Sequence, residues 1–329
     1  MVSPPVDPFE RRIDYLRLSI TDRCNLRCAY CMPESGVPKL DHDSILRYEE
    51  ILRLARIISE MGISKIRLTG GEPLVRQDAL YLCEALARLP GVESLTMTTN
   101  GVLLARHAEA LVKAGLRRVN ISLDTLRPER FAAITRADLF HEVWRGIMAS
   151  HEAGLAPIKL NVVVMRGVND DEIEALGGLT HRYPFHVRFI EFMPFKEAEF
   201  AERFLPAEGI IERLGRTAPL LPSESRNGNG PARYFRYEGA PGKIGIISPV
   251  SRHFCPACNR LRLTADGKLR SCLFSVEETD LRTLLRQGAS DEEIAGAIRE
   301  TVARKPQKHS LDDSLFRKCI NRPMVAIGG

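Results

Sequence analysis

Two sets of three cysteines hold the reactive potential of this sequence. The first, Cys24, Cys28 and Cys31, is spaced C-x3-C-x2-C on a short loop directly after a strand-like segment. The second, Cys255, Cys258 and Cys272, is spaced C-x2-C-x13-C. Thiolate is a soft ligand suited to zinc, copper(I) or iron–sulfur clusters. A structural zinc site wants four protein ligands. The first set has no close fourth Cys or His, His42 being the nearest and lying beyond a loop. For the second, His253 two residues upstream keeps a Cys3His zinc site open. On a four-iron cube, three thiolates leave one iron without a protein ligand, and that vacancy is chemically useful.

Placing these thiols requires a scaffold, and the stretch from Tyr15 to Met193 supplies one. Strand-like runs at Tyr15–Ile20, Lys65–Thr69, Ser94–Thr98, Arg118–Leu123, Ile158–Val164 and His186–Phe192 alternate with amphipathic helical stretches. The clearest helix runs from about Ser44 to Met61, with Tyr48, Ile51, Leu52, Ala55 and Ile58 at three- and four-residue intervals. Such alternation predicts parallel strands with right-handed crossovers, here an open, incomplete barrel of six βα units. Parallel strands covered on both faces read as continuous apolar runs. These alternate instead: Leu16 and Leu18 around Arg17, Ile66 and Leu68 around Arg67, Val119 and Ile121 around Asn120, Leu160 and Val162 around Asn161. With the apolar set on the helices, a polar and cationic set lines the inside. Buried unpaired charge is costly, so the lumen is expected to hold a polar, anionic ligand. An antiparallel sheet with one wet face would read similarly, but hairpin turns are missing here. Gly70-Gly71-Glu72-Pro73, Thr98-Thr99-Asn100-Gly101 and Ser122-Leu123-Asp124 fall at equivalent strand ends. At Gly70-Gly71, backbone without Cβ would let a ligand approach closely.

Composition shifts near Pro194, which predicts a region 1–193 followed by a C-terminal α+β region 194–329. Between Cys258 and Cys272 the sequence reads as a hairpin around Ala265-Asp266-Gly267. A three-residue loop with Gly267 left-handed pairs Arg260 with Cys272. A two-residue turn would pair Leu261 with Cys272 and send the thiol to the other face. Only the first register gathers Cys258, Arg260, Arg262 and Cys272 on one face, so it is the expected one. Helical stretches follow at about Asp280–Arg286 and Asp291–Arg304, then a polar linker and a Gly328-Gly329 terminus. Cys83 and Cys319 read as ordinary thiols.

The totals set bounds. A chain of 329 residues with 44% hydrophobic and 27% charged content is that of an ordinary globular protein. Met1 to Arg12 has no apolar core of a signal peptide, and no run of about 18 apolar residues occurs. A cytoplasmic protein with no membrane partner is expected. Eight cysteines in such a chain fit metal ligation better than disulfides. Net charge +5 is mild and suits a polyanionic small molecule as well as nucleic acid.

The first triplet, with Tyr30 before its last cysteine and GGEP one βα unit later, resembles the radical S-adenosylmethionine (SAM) superfamily. Both triplets, GGEP, the arginine hairpin and the Gly-Gly terminus together resemble the GTP 3′,8-cyclase family of molybdenum cofactor biosynthesis across almost the whole chain. The likeness is weakest in the first dozen residues and from Lys196 to Pro231. The resemblance implies two [4Fe-4S] clusters, held by Cys24, Cys28 and Cys31 and by Cys255, Cys258 and Cys272. It implies SAM at Tyr30, Gly71, Glu72, Ser122 and Met193, with Arg188 nearby. It also implies GTP at Arg17, Arg67, Thr98, Lys159, Arg260 and Arg262, its base on the open iron of the second cluster. The implied reaction abstracts the ribose 3′ hydrogen with a 5′-deoxyadenosyl radical, then closes a C3′–C8 bond. An electron donor and a downstream pyranopterin-forming enzyme are the implied partners, for a monomer or homodimer. The residues fit this: arginine forks suit a triphosphate, and Arg17, Arg67 and Lys159 share the lumen parity. Two other readings stand beside it. A peptide-maturing radical SAM enzyme would generally carry more C-terminal cysteines, and a metal-bearing nucleic-acid module would want aromatics for base stacking, which 6% aromatic content hardly supplies.

Overall fold

The alternation of apolar and polar residues along the strands becomes the two faces of one sheet. The structure, a computed structural model, describes residues 2–193, 197–224, 230–309 and 322–328, residues 197–199 by their backbone alone. Six parallel strands form its centre: β1 (Tyr15–Ser19), β2 (Lys65–Thr69), β3 (Ser94–Thr99), β4 (Arg118–Ser122), β5 (Lys159–Val164) and β6 (His186–Glu191). They lie in chain order, each joined to the next by a helical crossover. Leu16, Leu18, Ile66, Leu68, Val119, Ile121, Leu160 and Val162 are all buried in one continuous core with Ile51, Leu54, Ala55 and Ile58 of the helix Tyr48–Glu60.

That helix begins four residues later than its periodicity predicts. His42–Ser44 forms a separate 3-10 turn, and the Leu46 backbone N–H is spent on the Ala265 carbonyl at 2.8 Å. The Glu50 side chain then accepts from Arg47 N–H at 2.7 Å, closing a capping box that sets the start.

The C-terminal stretch extends this sheet at both edges. Strands β7 (Leu221–Ser223), β8 (Ala232–Arg236) and β9 (Lys243–Ile247) continue from β6, with β9 parallel to it. Strands β10 (Arg260–Leu263), β11 (Lys268–Arg270) and β12 (Thr279–Asp280) continue from β1, with β10 parallel to it. Among the described residues the sheet has twelve strands and is open, its order running β12-β11-β10-β1-β2-β3-β4-β5-β6-β9-β8-β7.

The hairpin takes the expected register. Arg262 pairs with Arg270 and Leu263 with Leu269, a ladder whose continuation sets Arg260 opposite Cys272. Gly267 has φ +80°, the left-handed conformation that a three-residue loop requires.

Candidate functional site

Strand registers decide where the two triplets stand. The first lies on the loop leaving the C-terminal end of β1, whereas the second begins before β10, whose Arg260 is level with Tyr15 at the start of β1. The triplets thus sit at opposite ends of the strands. Five residues of β1 separate them, on the order of 17 Å at about 3.3 Å per residue.

Between the ends, the register assembles rows of polar side chains. Arg262 of β10, Arg17 of β1, Arg67 of β2 and Thr96 of β3 are successive partners. A second row runs Thr98, Asn120, Lys159 and His186, and a third Ser122, Asn161 and Arg188. A cavity of about 680 Å3 lies over these rows and reaches both triplets. All six cysteines line it, as do Tyr30, Gly71, Ser122, Arg188 and Met193, and so do Arg17, Arg67, Thr98, Lys159, Arg260 and Arg262. Glu72 is the one expected site residue that does not.

Glu72 is fully buried, and its carboxylate is consumed locally. It accepts from Leu74 N–H at 3.1 Å, Thr99 Oγ1 at 2.8 Å and Asn100 N–H at 2.7 Å. Burial pushes it up to about 7 against those hydrogen bonds. The expected openness at Gly70-Gly71 needs correction as well. A Cβ on Gly71 would stand 2.3 Å from the Arg23 carbonyl, and one on Gly70 2.6 Å from that of Thr21. Gly71 N–H and Glu72 N–H donate to the Thr21 and Arg23 carbonyls, each at 2.8 Å. The missing side chains admit the backbone of the cysteine loop, although Gly71 still borders the cavity.

The first triplet is half-buried and electrostatically crowded. Burial lifts Cys24 to about 11, Cys31 to about 12 and Cys28 well above its ordinary value, with the neighbouring thiols adding to the effect on Cys28 and Cys31. Thiols held neutral by burial, two of them also by their neighbours, fit a cationic metal group, which would supply the missing charge. Cys24 Sγ accepts from Leu26 N–H at 3.4 Å and Asn100 Nδ2 at 3.7 Å, and the sulfur of Cys31 from Val325 N–H. Tyr30 donates to Asp124 Oδ2 at 2.8 Å. Burial raises Asp124 to about 6.

The second triplet stands in a positive field. Burial opposes ionisation of Cys258, yet the Arg260 guanidinium and Lys305 ammonium draw it down to about 6. Arg260 Nη2 donates to Cys258 Sγ at 3.6 Å while its guanidinium lies 4.7 Å over the Phe254 ring. Among the described residues no three His, Cys, Asp or Glu side chains are grouped to hold one metal ion. The Cys3His zinc arrangement with His253 is not formed; that ring lies edge-on to His309 at 5.4 Å. A cube, by contrast, takes each thiolate on a separate iron.

The cations between the triplets are held at a cost that an anion would relieve. Arg67 Nε, Thr98 Oγ1 and Arg188 Nε are buried without a hydrogen-bond partner among the described residues, the kind of orphan that marks a ligand site. Burial, then Arg188, Arg118 and Arg67, hold Lys159 at about 7. Burial, then Lys159, Lys243, Arg188 and Arg118, bring His186 to about 4.

The C-terminal tail also enters this space. Met324 and Val325 line the cavity, and Arg262 Nη1 donates to the Gly328 carbonyl at 2.7 Å. Gly329 and Cys319 lie outside the described residues. Cys83 is fully buried in the helix Ala79–Ala87, where burial raises it to about 12. Asn100 and Asp124 belong to the strand ends singled out in the sequence, but their partners, the Cys24 sulfur and Tyr30, were not legible there. Sequence reasoning missed Tyr234 and His309 on the cavity wall, which nothing local marks.

Comparison with known proteins separates the readings left open. Residues 18–179 match the Radical SAM superfamily and residues 185–311 match Molybdenum Cofactor Synthesis C. A GTP 3′,8-cyclase of Moorella thermoacetica is 50% identical over 98% of this chain and 99% of its own, and one of Heliobacterium modesticaldum is 51% identical over 98% and 100%. The chain belongs to the GTP 3′,8-cyclase family. Among solved structures, Streptococcus suis SuiB bound to S-adenosylmethionine superposes with a TM-score of 0.60 at 14% identity, covering 87% of this chain and 67% of that one. At that identity it supports the radical SAM fold alone. No helix among the described residues is long and apolar enough to cross a membrane.

Proposed function

We propose that this chain converts GTP to (8S)-3′,8-cyclo-7,8-dihydroguanosine 5′-triphosphate, the first step of molybdenum cofactor biosynthesis. The observation that carries the reading is the single cavity with a cysteine triplet at each end and cationic rows between them. Cys24, Cys28 and Cys31 would hold one [4Fe-4S] cluster and Cys255, Cys258 and Cys272 a second, in regions 1–193 and 194–329. When bound, the first cluster with SAM supplies the 5′-deoxyadenosyl radical, and the second offers an open iron to the base. The chain's own residues supply position. Tyr30, Gly71, Ser122 and Met193 border the SAM end, and the Glu72 carboxylate holds Asn100 and the loop beneath. Arg17, Arg67 and Lys159 offer donors for the triphosphate with Thr98 beside them, while Arg188, in one row with Ser122 and Asn161, stands nearer the SAM end. Arg260 and Arg262 fix the opposite end, so the ribose is held before the radical. Holding both ends replaces acid–base assistance as the source of rate.

An electron donor must serve the reaction, and a pyranopterin-forming enzyme must consume its product. A cytoplasmic monomer or homodimer suits this role. The test is incubation of anaerobically reconstituted protein with SAM, a reductant and GTP. Cyclised nucleotide and about eight irons per chain support the reading; SAM cleavage without cyclised nucleotide sinks it.

Two smaller predictions follow from the cavity. Lys159, held at about 7 in the free protein, should regain its ordinary value beside a triphosphate. A group whose value rises on binding takes up a proton above its free value. GTP affinity should therefore fall as pH rises from about 7, by up to tenfold per pH unit, with uptake approaching one proton per GTP. Calorimetry in buffers of different ionisation enthalpy measures this, and Lys159→Met should remove it. The second concerns the tail. Deleting Gly328 and Gly329 should impair turnover and spare both clusters, since the tail meets the site through Arg262; unimpaired turnover would make it a bystander.

A further inference from the structure

Behind the second triplet stand two buried cations for which substrate positioning has no use. Arg11 is 7% exposed and Lys305 3% exposed. Lys305 Nζ donates to the Arg260 carbonyl at 2.8 Å and also to the Ser271 carbonyl. Arg260 follows Cys258 by two positions, and Ser271 immediately precedes Cys272. The ammonium thus links β10 to the chain leaving β11 at the open end of the hairpin, beyond the last ladder pair, Arg262 with Arg270. Arg11 Nη1 donates to the carbonyl of Cys255 itself at 2.8 Å and to that of Gln307 at 3.0 Å, and Nη2 to that of Pro306 at 2.7 Å. Asp7 fixes the guanidinium from behind, accepting from Nε at 2.6 Å, while its other oxygen accepts from the Phe9 and Arg11 backbone N–H groups. The segment bearing Lys305 then returns to the site, where His309 N–H donates to the Cys255 sulfur.

Cations at this depth persist only when fully partnered, and here the partners include the carbonyls of Cys255, of Ser271 next to Cys272, and of Arg260 two positions past Cys258. We propose that Arg11 and Lys305 are positioning residues of the second cluster, bracing the backbone of its three ligands from the rear and setting fixed positive charge against it. The inference rests on reading Cys255, Cys258 and Cys272 as cluster ligands. It gives the first dozen residues a function: they deliver Arg11 to a loop 244 positions away. Reducing a cluster adds negative charge, so nearby cations favour the reduced form and raise its potential.

The experiment uses the full chain, reconstituted anaerobically, with iron and sulfide counts and a redox titration followed by electron paramagnetic resonance. A Cys255→Ala, Cys258→Ala, Cys272→Ala triple variant supplies the first-cluster signal alone. Lys305→Met and Arg11→Met are expected to shift the second cluster's midpoint to lower potential. Their iron should fall from about eight towards about four per chain, the loss confined to the second cluster. Lys305→Arg, which keeps the charge, should hold its midpoint nearer the wild type. Full iron and an unshifted second midpoint in both methionine variants would overturn the proposal. So would equal loss of both clusters from each variant, the mark of a general folding defect. Wild-type protein holding only the first cluster would overturn the ligand assignment itself, and that result is recognised before any variant is made.

Discussion

Replacing Gly71 by alanine is expected to cost the protein its first cluster while the sheet stays folded. The added Cβ would sit 2.3 Å from the Arg23 carbonyl oxygen and 2.6 Å from its carbon. Those are backbone atoms, so no rotamer change relieves the clash, and one of the two loops has to move. The hydrogen bonds at stake join Gly71 and Glu72 to Thr21 and Arg23, immediately before Cys24. Overpacking of this kind costs about 1–3 kcal/mol, less than the roughly 5–15 kcal/mol that holds a domain together. The damage should stay local, with the three thiols misplaced relative to one another. Iron should fall from about eight to about four per chain, and reductive SAM cleavage should be lost, with a thermal melt close to the parent's. Full iron with normal SAM cleavage in Gly71→Ala would show that the loops do not depend on this contact.

At the other end of the cavity, Arg262→Ala should separate the two half-reactions. Arg262 lies beside Arg17 in the sheet and holds the Gly328 carbonyl at 2.7 Å. Burial, then Arg260, depress it to about 9, a sign that the row of cations is under-compensated until an anion arrives. Charge-assisted hydrogen bonds contribute about 1.5–3 kcal/mol each, so GTP conversion should fall roughly tenfold to a hundredfold or more. Cleavage of SAM in the absence of GTP, which depends on the opposite end, should persist. Arg260→Ala should also cripple GTP conversion, and because Arg260 donates to Cys258 it should weaken the second cluster too. Parallel measurement of cyclised nucleotide and 5′-deoxyadenosine decides the matter. Loss of both products with both clusters intact would mean the arginines serve something other than GTP.

The amino-acid sequence alone settled those features whose signal is local or periodic. Two thiol triplets, alternating strands and the Gly267 hairpin are written in spacings of two to fourteen residues. A period of two puts Arg17, Arg67 and Lys159 on one face of their strands, and all three line the cavity. The tertiary structure decided whatever depends on which distant segments touch. Glu72 turned from a cavity residue into a buried loop clamp because Thr99 and Asn100 claim its carboxylate. The helix after the first loop starts late because Leu46 answers to Ala265. The C-terminal strands joined both edges of the central sheet, and Arg11 and Lys305 came together behind the second triplet. Periodicity tells a side chain which face it takes, but a partner hundreds of positions away is chosen only when the chain closes on itself and every buried polar group must find its match.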